Sequence, residues 1–242
     1  MANARNCDIL GYSQSGIALT IMTHCIEQAS INDDESSSTL LTNFRNMKGD
    51  EETLRGTADA AALIYEDSSG CGRAYLYAYS NQLSLSITKK SCATGYYSFG
   101  HEIGHNLGAT HNPEESTNSV FDHGHAHLIL PTSAAQWDGY RTILAYNAFG
   151  HYNRVNYYSN PSVIFPTTGT ATGVVGVSNN AAVLNQNRAA YAALGDESQA
   201  CSAGATTTTT SAPTTTTATP PVGGPCKYII DLIFEKIFKF LK

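Results

Sequence analysis

The stretch FGHEIGHNLGATHN, Phe99–Asn112, places His101, Glu102, His105, Gly108 and His111 within one short segment. On a helix, His101 and His105 are four residues apart and share one face, one turn above the other. Glu102 stands beside the first of them, facing the space where a metal-bound water would sit. Gly108, three residues beyond His105, suits a left-handed turn that ends the helix and brings His111 round as a third nitrogen ligand. Three protein ligands leave the fourth tetrahedral position open, the arrangement of a catalytic rather than a structural zinc. Zinc lowers the pKa of bound water to about 7, and Glu102 is then placed to take its proton.

Chance does not compete with this reading. A His-Glu-x-x-His run alone would arise in on the order of one in a hundred shuffled chains, and the added glycine and histidine reduce that to roughly a few in a hundred thousand.

The remainder of the chain suits an extracellular globular protein. Its 242 residues allow one substantial domain, and 42% hydrophobic with 14% charged residues describe a packed rather than a disordered chain. A net charge of −6 argues against nucleic acid as partner of the body. The start, MANARNCDILGY, has no apolar region of signal-peptide type, so the chain reads as a fragment or an incomplete start of a secreted protein. The six cysteines contain no Cys-x-x-Cys pair, which fits disulfides better than a thiolate zinc site.

Composition divides the chain into residues 1–200, 201–225 and 226–242. Thr206 to Thr219 hold ten threonines, followed by Pro220 and Pro221, an extended linker with or without attached sugar. In the last segment Ile230, Ile233, Phe234, Ile237 and Leu241 fall at helical spacing. That amphipathic piece is read as the start of a further domain, a partner-binding helix or, less readily, a membrane-surface helix. Within the body, strands are expected at Ile17–Met22, Ala60–Tyr65, Arg73–Tyr79 and Gln82–Thr88, with Ser80-Asn81 as a turn. Helices are expected at Thr39–Met47, near Asp50–Gly56, and from an N-cap at Ser178 to about Leu194, stopped by Gly195.

The motif HEIGHNLGATH resembles the HExxHxxGxxH signature of the metzincin clan of zinc endopeptidases, nearest its reprolysin-like (adamalysin-type) branch. CGRAYL, Cys71–Leu76, is similar to the edge strand that this family lays along an extended substrate. TILAY, Thr142–Tyr146, resembles the tight turn beneath the zinc, and YYSNPSV, Tyr157–Val163, the approach to the last helix. The resemblance implies a mixed α+β fold, with an upper subdomain of twisted sheet and helices, a small irregular lower one, and a cleft between them. It implies Zn2+ on His101, His105 and His111, Glu102 as general base, and substrate pairing along Arg73, Ala74, Tyr75 and Leu76. A disulfide Cys71–Cys92 belongs to the same expectation. The chain departs from the family in three places. Leu144 stands where the family carries Met, Asn112 where Asp is common, and only sixteen residues precede Ile17, so the N-terminal strand is expected to be missing.

Two further sets of residues stay open. Tyr146 either donates to a developing oxyanion, as in some metzincins, or packs in the lower subdomain. His123, His125 and His127 alternate along an extended segment, lining the cleft more readily than forming a second metal site. Two functions follow: a secreted, monomeric zinc endopeptidase acting on polypeptides, or a decayed protease-like module serving adhesion through its Thr-rich stalk.

Overall fold

The structure is a computed structural model that describes residues 10–22, 29–47, 58–80, 82–116, 119–130, 139–147 and 152–195, with the backbone alone at 23–27, 206–207 and 237–241. Its centre is β2 (Ala61–Tyr65), whose residues alternate between two cores. Ala61, Leu63 and Tyr65 face Leu40, Leu41 and Phe44 of α1 (Ser37–Asn46). Ala60 and Ala62 face Phe99, Ile103 and Leu107 on the other side. A strand buried on both faces carries a continuous apolar run, which is how AAALIY reads. Its neighbour β4 (Leu85–Lys89) runs parallel to it, and β3 (Gly72–Ala74) closes that edge antiparallel to β4. Helix α1 begins two residues ahead of the expected Thr39, with Ser36 as N-cap accepting from the Thr39 amide.

Several expected boundaries move. Residues 17–21 form no strand, and β1 is Met22–Glu27. Ile17 and Ile21 are buried, but Asn185 takes the backbone on either side of Ile17, accepting from Ala18 N and donating to the Gly16 carbonyl. Strand β3 stops at Ala74 rather than Tyr79, because the chain leaves the sheet edge to satisfy the end of a helix. Tyr77 N donates to the His105 carbonyl at 2.9 Å and Ala78 N to that of Asn106 at 2.8 Å. Those carbonyls have no partner inside their own helix. Asn81 and 50–56 lie outside the described residues.

Two helices flank the site, the short α2 (Lys90–Ala93) and α3 (Ser98–Asn106). Below them lies an irregular half with small sheets. There β6 (Gly139–Arg141) pairs antiparallel with β5 (Leu128–Ile129) and parallel with β7 (Tyr152–Arg154), and β8 (Ile164–Phe165) forms a hairpin with β9 (Thr170–Ala171). The last helix, α4 (Asn180–Tyr191), is capped by Asn179, not Ser178, and ends before Leu194. Ser178 is taken up by bridges to Gly124 and Val174.

The C-terminal segment differs most from expectation. Ile237–Leu241 is a strand, β11, lying antiparallel between β1 and β2, and Thr206–Thr207 (β10) pairs on the outer side of β1. Helical spacing is therefore not what Ile237–Leu241 adopts. Pairing with two strands satisfies its backbone on both sides, which outweighs a short local period. The rest of 208–236, including the linker, lies outside the described residues.

Candidate active site

Helix α3 brings His101, Glu102 and His105 to a cleft of about 320 Å³, and the chain beyond it returns His111 to the same place. The return depends on Gly108, whose φ is 98°. A methyl group there would also come within 2.8 Å of the Tyr77 ring and 3.0 Å of Phe121, so both conformation and space require glycine. Asn106, the last residue of α3, donates to the carbonyls of Tyr75 and Leu85, tying the helix to the sheet.

The three imidazoles converge through their Nε2 atoms. His105 Nε2 lies 3.2 Å from that of His101 and 3.0 Å from that of His111, and His101 and His111 are 3.3 Å apart. His101 Nδ1 lies 2.9 Å from the Ile143 carbonyl oxygen, and His105 Nδ1 is 2.9 Å from that of Ala109. A carbonyl only accepts, so each Nδ1 carries the hydrogen and each Nε2 presents a lone pair. Burial pushes the ring pKa values down: well below the ordinary value for His101, to about 4 for His105 and about 3 for His111. Protons therefore do not neutralise these lone pairs near neutral pH. A tetrahedral zinc at about 2.0–2.1 Å from each nitrogen sets its ligands about 3.3 Å apart, so the donor set fits that ion.

Glu102 is 5% exposed and lines the same cleft. Burial raises its carboxyl pKa to about 8, against the pull of Arg154 and Arg73. Its carboxylate rests on bare backbone: a methyl group at Gly72 would lie 2.5 Å from Glu102 Oε1. The edge strand β3 thus forms one wall, with Gly72, Arg73, Ala74 and Leu76 at the cleft. Tyr75 is not among them, and its carbonyl accepts from Asn106. The Cys71–Cys92 disulfide anchors the start of this strand to α2.

Beneath α3 runs the turn Thr142–Ala145, closed by Ala145 N donating to the Thr142 carbonyl at 3.0 Å. Leu144 is fully buried beneath α3, against Gly104. Tyr146 follows it into the cleft, its ring centroid 3.9 Å from that of His111. Asn112 Oδ1 accepts from Tyr146 N at 2.8 Å while its Nδ2 donates to Glu114. A carboxylate could not make the second bond, which gives Asn at this position a physical reason. Of the FDHGHAH histidines, His125 Nδ1 lies 2.9 Å from the His111 carbonyl and 3.2 Å from Thr110 Oγ1. Among the described residues the three-ligand grouping suited to a metal is His101, His105 and His111.

Sequence reading missed Gly72, Arg141 and Arg154. Gly72 lay inside a quoted stretch without being singled out. The arginines belong to no spacing pattern, and only the fold brings them together on the Ala145 carbonyl.

Residues 4–159 match the profile of metallo-peptidase family M12 (Reprolysin_5). Over 190 residues the chain is 32% identical to the Peptidyl-Asp metalloendopeptidase of Stenotrophomonas maltophilia (strain R551-3), covering 76% of this chain and 44% of that one. It is 30% identical over 190 residues to the protein of the same name from Xanthomonas campestris pv. campestris, with 76% and 43% covered. The chain thus spans less than half the length of these relatives. A solved structure described as "Structure of a chaperone-substrate complex" shares the fold, at TM-score 0.59 and 21% identity over 81% of this chain and 31% of that chain.

Proposed function

The chain belongs to metallo-peptidase family M12, and on that premise we propose that it is a zinc-dependent endopeptidase acting on extended polypeptide. The convergence of three Nε2 lone pairs beside one buried carboxyl group carries this reading. His101, His105 and His111 would hold the ion, which when bound supplies Lewis acidity toward a peptide carbonyl and a water. Glu102 takes the proton of the attacking water and delivers it to the leaving nitrogen as the peptide bond breaks. Burial raises the Glu102 carboxyl pKa to about 8 in the metal-free site, and a dication on the adjacent histidines would lower it, leaving a carboxylate able to accept the proton. Tyr146, beside His111, donates its phenol hydrogen toward the charge that develops on the carbonyl oxygen. β3 is a sheet edge, and the stretch Arg73–Leu76 pairs with the substrate backbone by strand addition, with Tyr75 engaged through backbone alone. The relatives' name extends the proposal to bonds flanked by Asp.

The Cys71–Cys92 disulfide supports an oxidising, extracellular setting. Among the described residues no helix is long and apolar enough to cross a membrane. We assign the chain as a monomer. The competing reading, a decayed binding module, has less support because Glu102 retains its place beside the histidines.

The test is hydrolysis of an unfolded protein by zinc-loaded material. Cleavage abolished by a chelator and restored by added zinc is expected, together with one zinc per chain. Glu102→Gln should keep the zinc and lose hydrolysis by several orders of magnitude. Zinc-loaded protein that cleaves no polypeptide, or a Glu102→Gln variant with near-native turnover, would refute the reading.

A further inference from the structure

The backbone donors that could carry a substrate past Leu76 are already taken. Strand β3 ends at Ala74, and Tyr77 N and Ala78 N donate to the His105 and Asn106 carbonyls at the end of α3. Strand addition therefore stops near Leu76, and any contact beyond it has to come from side chains.

The chain sets aromatic rings at that point. The Tyr77 ring stands edge-on to Phe121, with centroids 5.3 Å apart, and to Tyr79 at 4.3 Å. Tyr79 in turn meets Tyr191 of α4 edge-on at 6.4 Å and donates its hydroxyl to the Asn187 carbonyl. Phe121 is fixed by its own turn, its carbonyl accepting from Gly124 N at 2.7 Å. The series is thus clamped to the last helix, yet it is not covered. Leu76 and Tyr77 are each 40% exposed, and Val120, next to Phe121, is 45% exposed.

The backbone of Tyr77 gives a second reason to look for a ligand. Its φ is 54°, in the left-handed region that a glycine adopts freely and a residue with a Cβ does not. Tyr97 is the other such residue among the described ones, and its side chain is buried in the core. Tyr77 keeps the same costly conformation with much of its surface in water. Strain held by an aromatic residue that the core does not need points to use of the ring.

The rings adjoin the cleft from two sides. Leu76, next to Tyr77, lines the cleft, and so does Thr110. Thr110 N donates to Gly124 O at 2.8 Å, which ties the Phe121–Gly124 turn to that wall. Between the two lies Gly108, where an added methyl would meet Tyr77 at 2.8 Å and Phe121 at 3.0 Å. Along the edge strand, Gly72 marks the catalytic carboxylate, against Glu102 Oε1. Leu76 and Tyr77 follow it by four and five positions, so at about 3.3 Å per residue the rings stand within about 17 Å of the reacting bond.

We propose that Leu76, Tyr77 and Phe121 form an apolar subsite for an aromatic or large aliphatic side chain of the polypeptide substrate, about three to five residues from the cleaved bond. The proposal rests on the endopeptidase reading. Such a side chain removes the exposed rings from water and meets their faces and edges in the arrangements that aromatic pairs prefer. Because the rings are held in place beforehand, little freedom is lost when it binds.

The experiment uses zinc-loaded native protein and matched fluorogenic peptides that differ only in Phe or Ser at one residue. That residue is moved through the third, fourth and fifth places on either side of the cut bond. At one of these places kcat/KM should favour Phe by at least about tenfold. In Tyr77→Gly, which suits the left-handed backbone and removes the ring, the ratio should fall to within about threefold of one. Tyr77→Phe, which keeps the ring, should keep the preference. Zinc content and thermal midpoint establish that each variant is folded. If Tyr77→Gly is not, Leu76→Ser, at an exposed side chain, should lower the ratio severalfold in its stead. If native protein prefers Phe at none of these places, the inference falls and the endopeptidase reading stands. If native protein cleaves no peptide, that reading falls, and the ratio of Phe to Ser peptide affinities on zinc-loaded Glu102→Gln protein decides the inference. An undiminished preference in both Tyr77→Gly and Leu76→Ser overturns it.

Discussion

A methyl group on Gly104 would sit 2.9 Å from Leu144 Cδ1, so the second turn of α3 packs its bare backbone directly on the leucine beneath the histidines. Two effects oppose each other in Gly104→Ala. Helix propensity favours alanine by about 0.8–1.0 kcal/mol, while overpacking a closed core costs typically 1–3 kcal/mol. Leu144 is fully buried and Tyr158 closes the other side at 3.4 Å, so the clash should win. We expect Gly104→Ala to destabilise, and Leu144→Ala to cost about 2–5 kcal/mol by opening a cavity. In the double variant the new methyl enters that cavity, so the two costs should sum to less than their parts. Additive losses in denaturant unfolding would mean that the turn does not support α3 here.

Gly72 gives a prediction of a different kind, because it touches the base and not the core. Gly72→Ala puts a methyl 2.5 Å from Glu102 Oε1 and 2.8 Å from its Cδ, so the carboxylate must move. Zinc content should stay at one per chain, since no ligand histidine is contacted. Turnover should fall by about 10²-fold, the order expected when a catalytic group is misplaced by an ångström. Native turnover in Gly72→Ala would place Glu102 away from β3.

The site was legible because its chemistry is local. His101, Glu102, His105, Gly108 and His111 lie within one helix and its exit, where periodicity translates directly into geometry. The same holds for β2, whose alternation is set by cores on both faces. What could not be read depends on distant partners. Nothing in RAYLYAY says that Tyr77 and Ala78 leave the sheet to cap α3, and nothing in YNRVN says that Arg154 arrives beside Arg141. Boundaries moved where a long-range hydrogen bond, such as Asn185 to the backbone at residues 16 and 18, outweighed local pattern.

The metal-free protein should show a pH dependence of stability that two groups of residues pull in opposite directions. The site histidines have folded pKa values below their ordinary 6.5, at about 4 for His105 and about 3 for His111. Their contribution is present above 6.5 and is lost as pH falls toward those values, because the unfolded chain binds more protons. Glu102 is raised from 4.5 to about 8, so its contribution is present below 4.5 and lost as pH rises through 8. Above pH 6.5 the histidine contribution is constant and Glu102 alone among these groups should still erode stability. Glu102→Gln should therefore flatten the decline between about pH 6.5 and 8 while leaving the acid side unchanged. Thermal midpoints of chelator-treated protein across that range test this, and an unaltered alkaline decline would contradict it.

The last prediction concerns residues beyond Ala200. From composition they should be dispensable, since a threonine-rich segment has no core to join. The strand Ile237–Leu241 reverses that expectation, because it stands inside the sheet and not at its rim. Its backbone pairs with β1 through Met22↔Leu241 and Glu27↔Ile237, and with β2 through Leu63↔Ile237 and Ala61↔Lys239. Without it, β2 has an unpaired edge at residues that are almost fully buried, and each buried donor or acceptor left without a partner costs about 1–3 kcal/mol. Direct pairing of β1 with β2 would recover those bonds only by moving β1 across the width of a strand, about 4.8 Å. A chain ending at Ala200 should accordingly melt well below the full chain and lose cooperativity. Zinc binding should weaken less than stability, because α3 stays tied to Tyr75 and Leu85 through Asn106 and to the turn through His101, contacts that β11 does not make. A synthetic peptide covering residues 226–242 should restore the midpoint when added in trans, by supplying the strand. If the shortened chain is as stable as the full one and the peptide does not bind it, β11 is not part of the sheet.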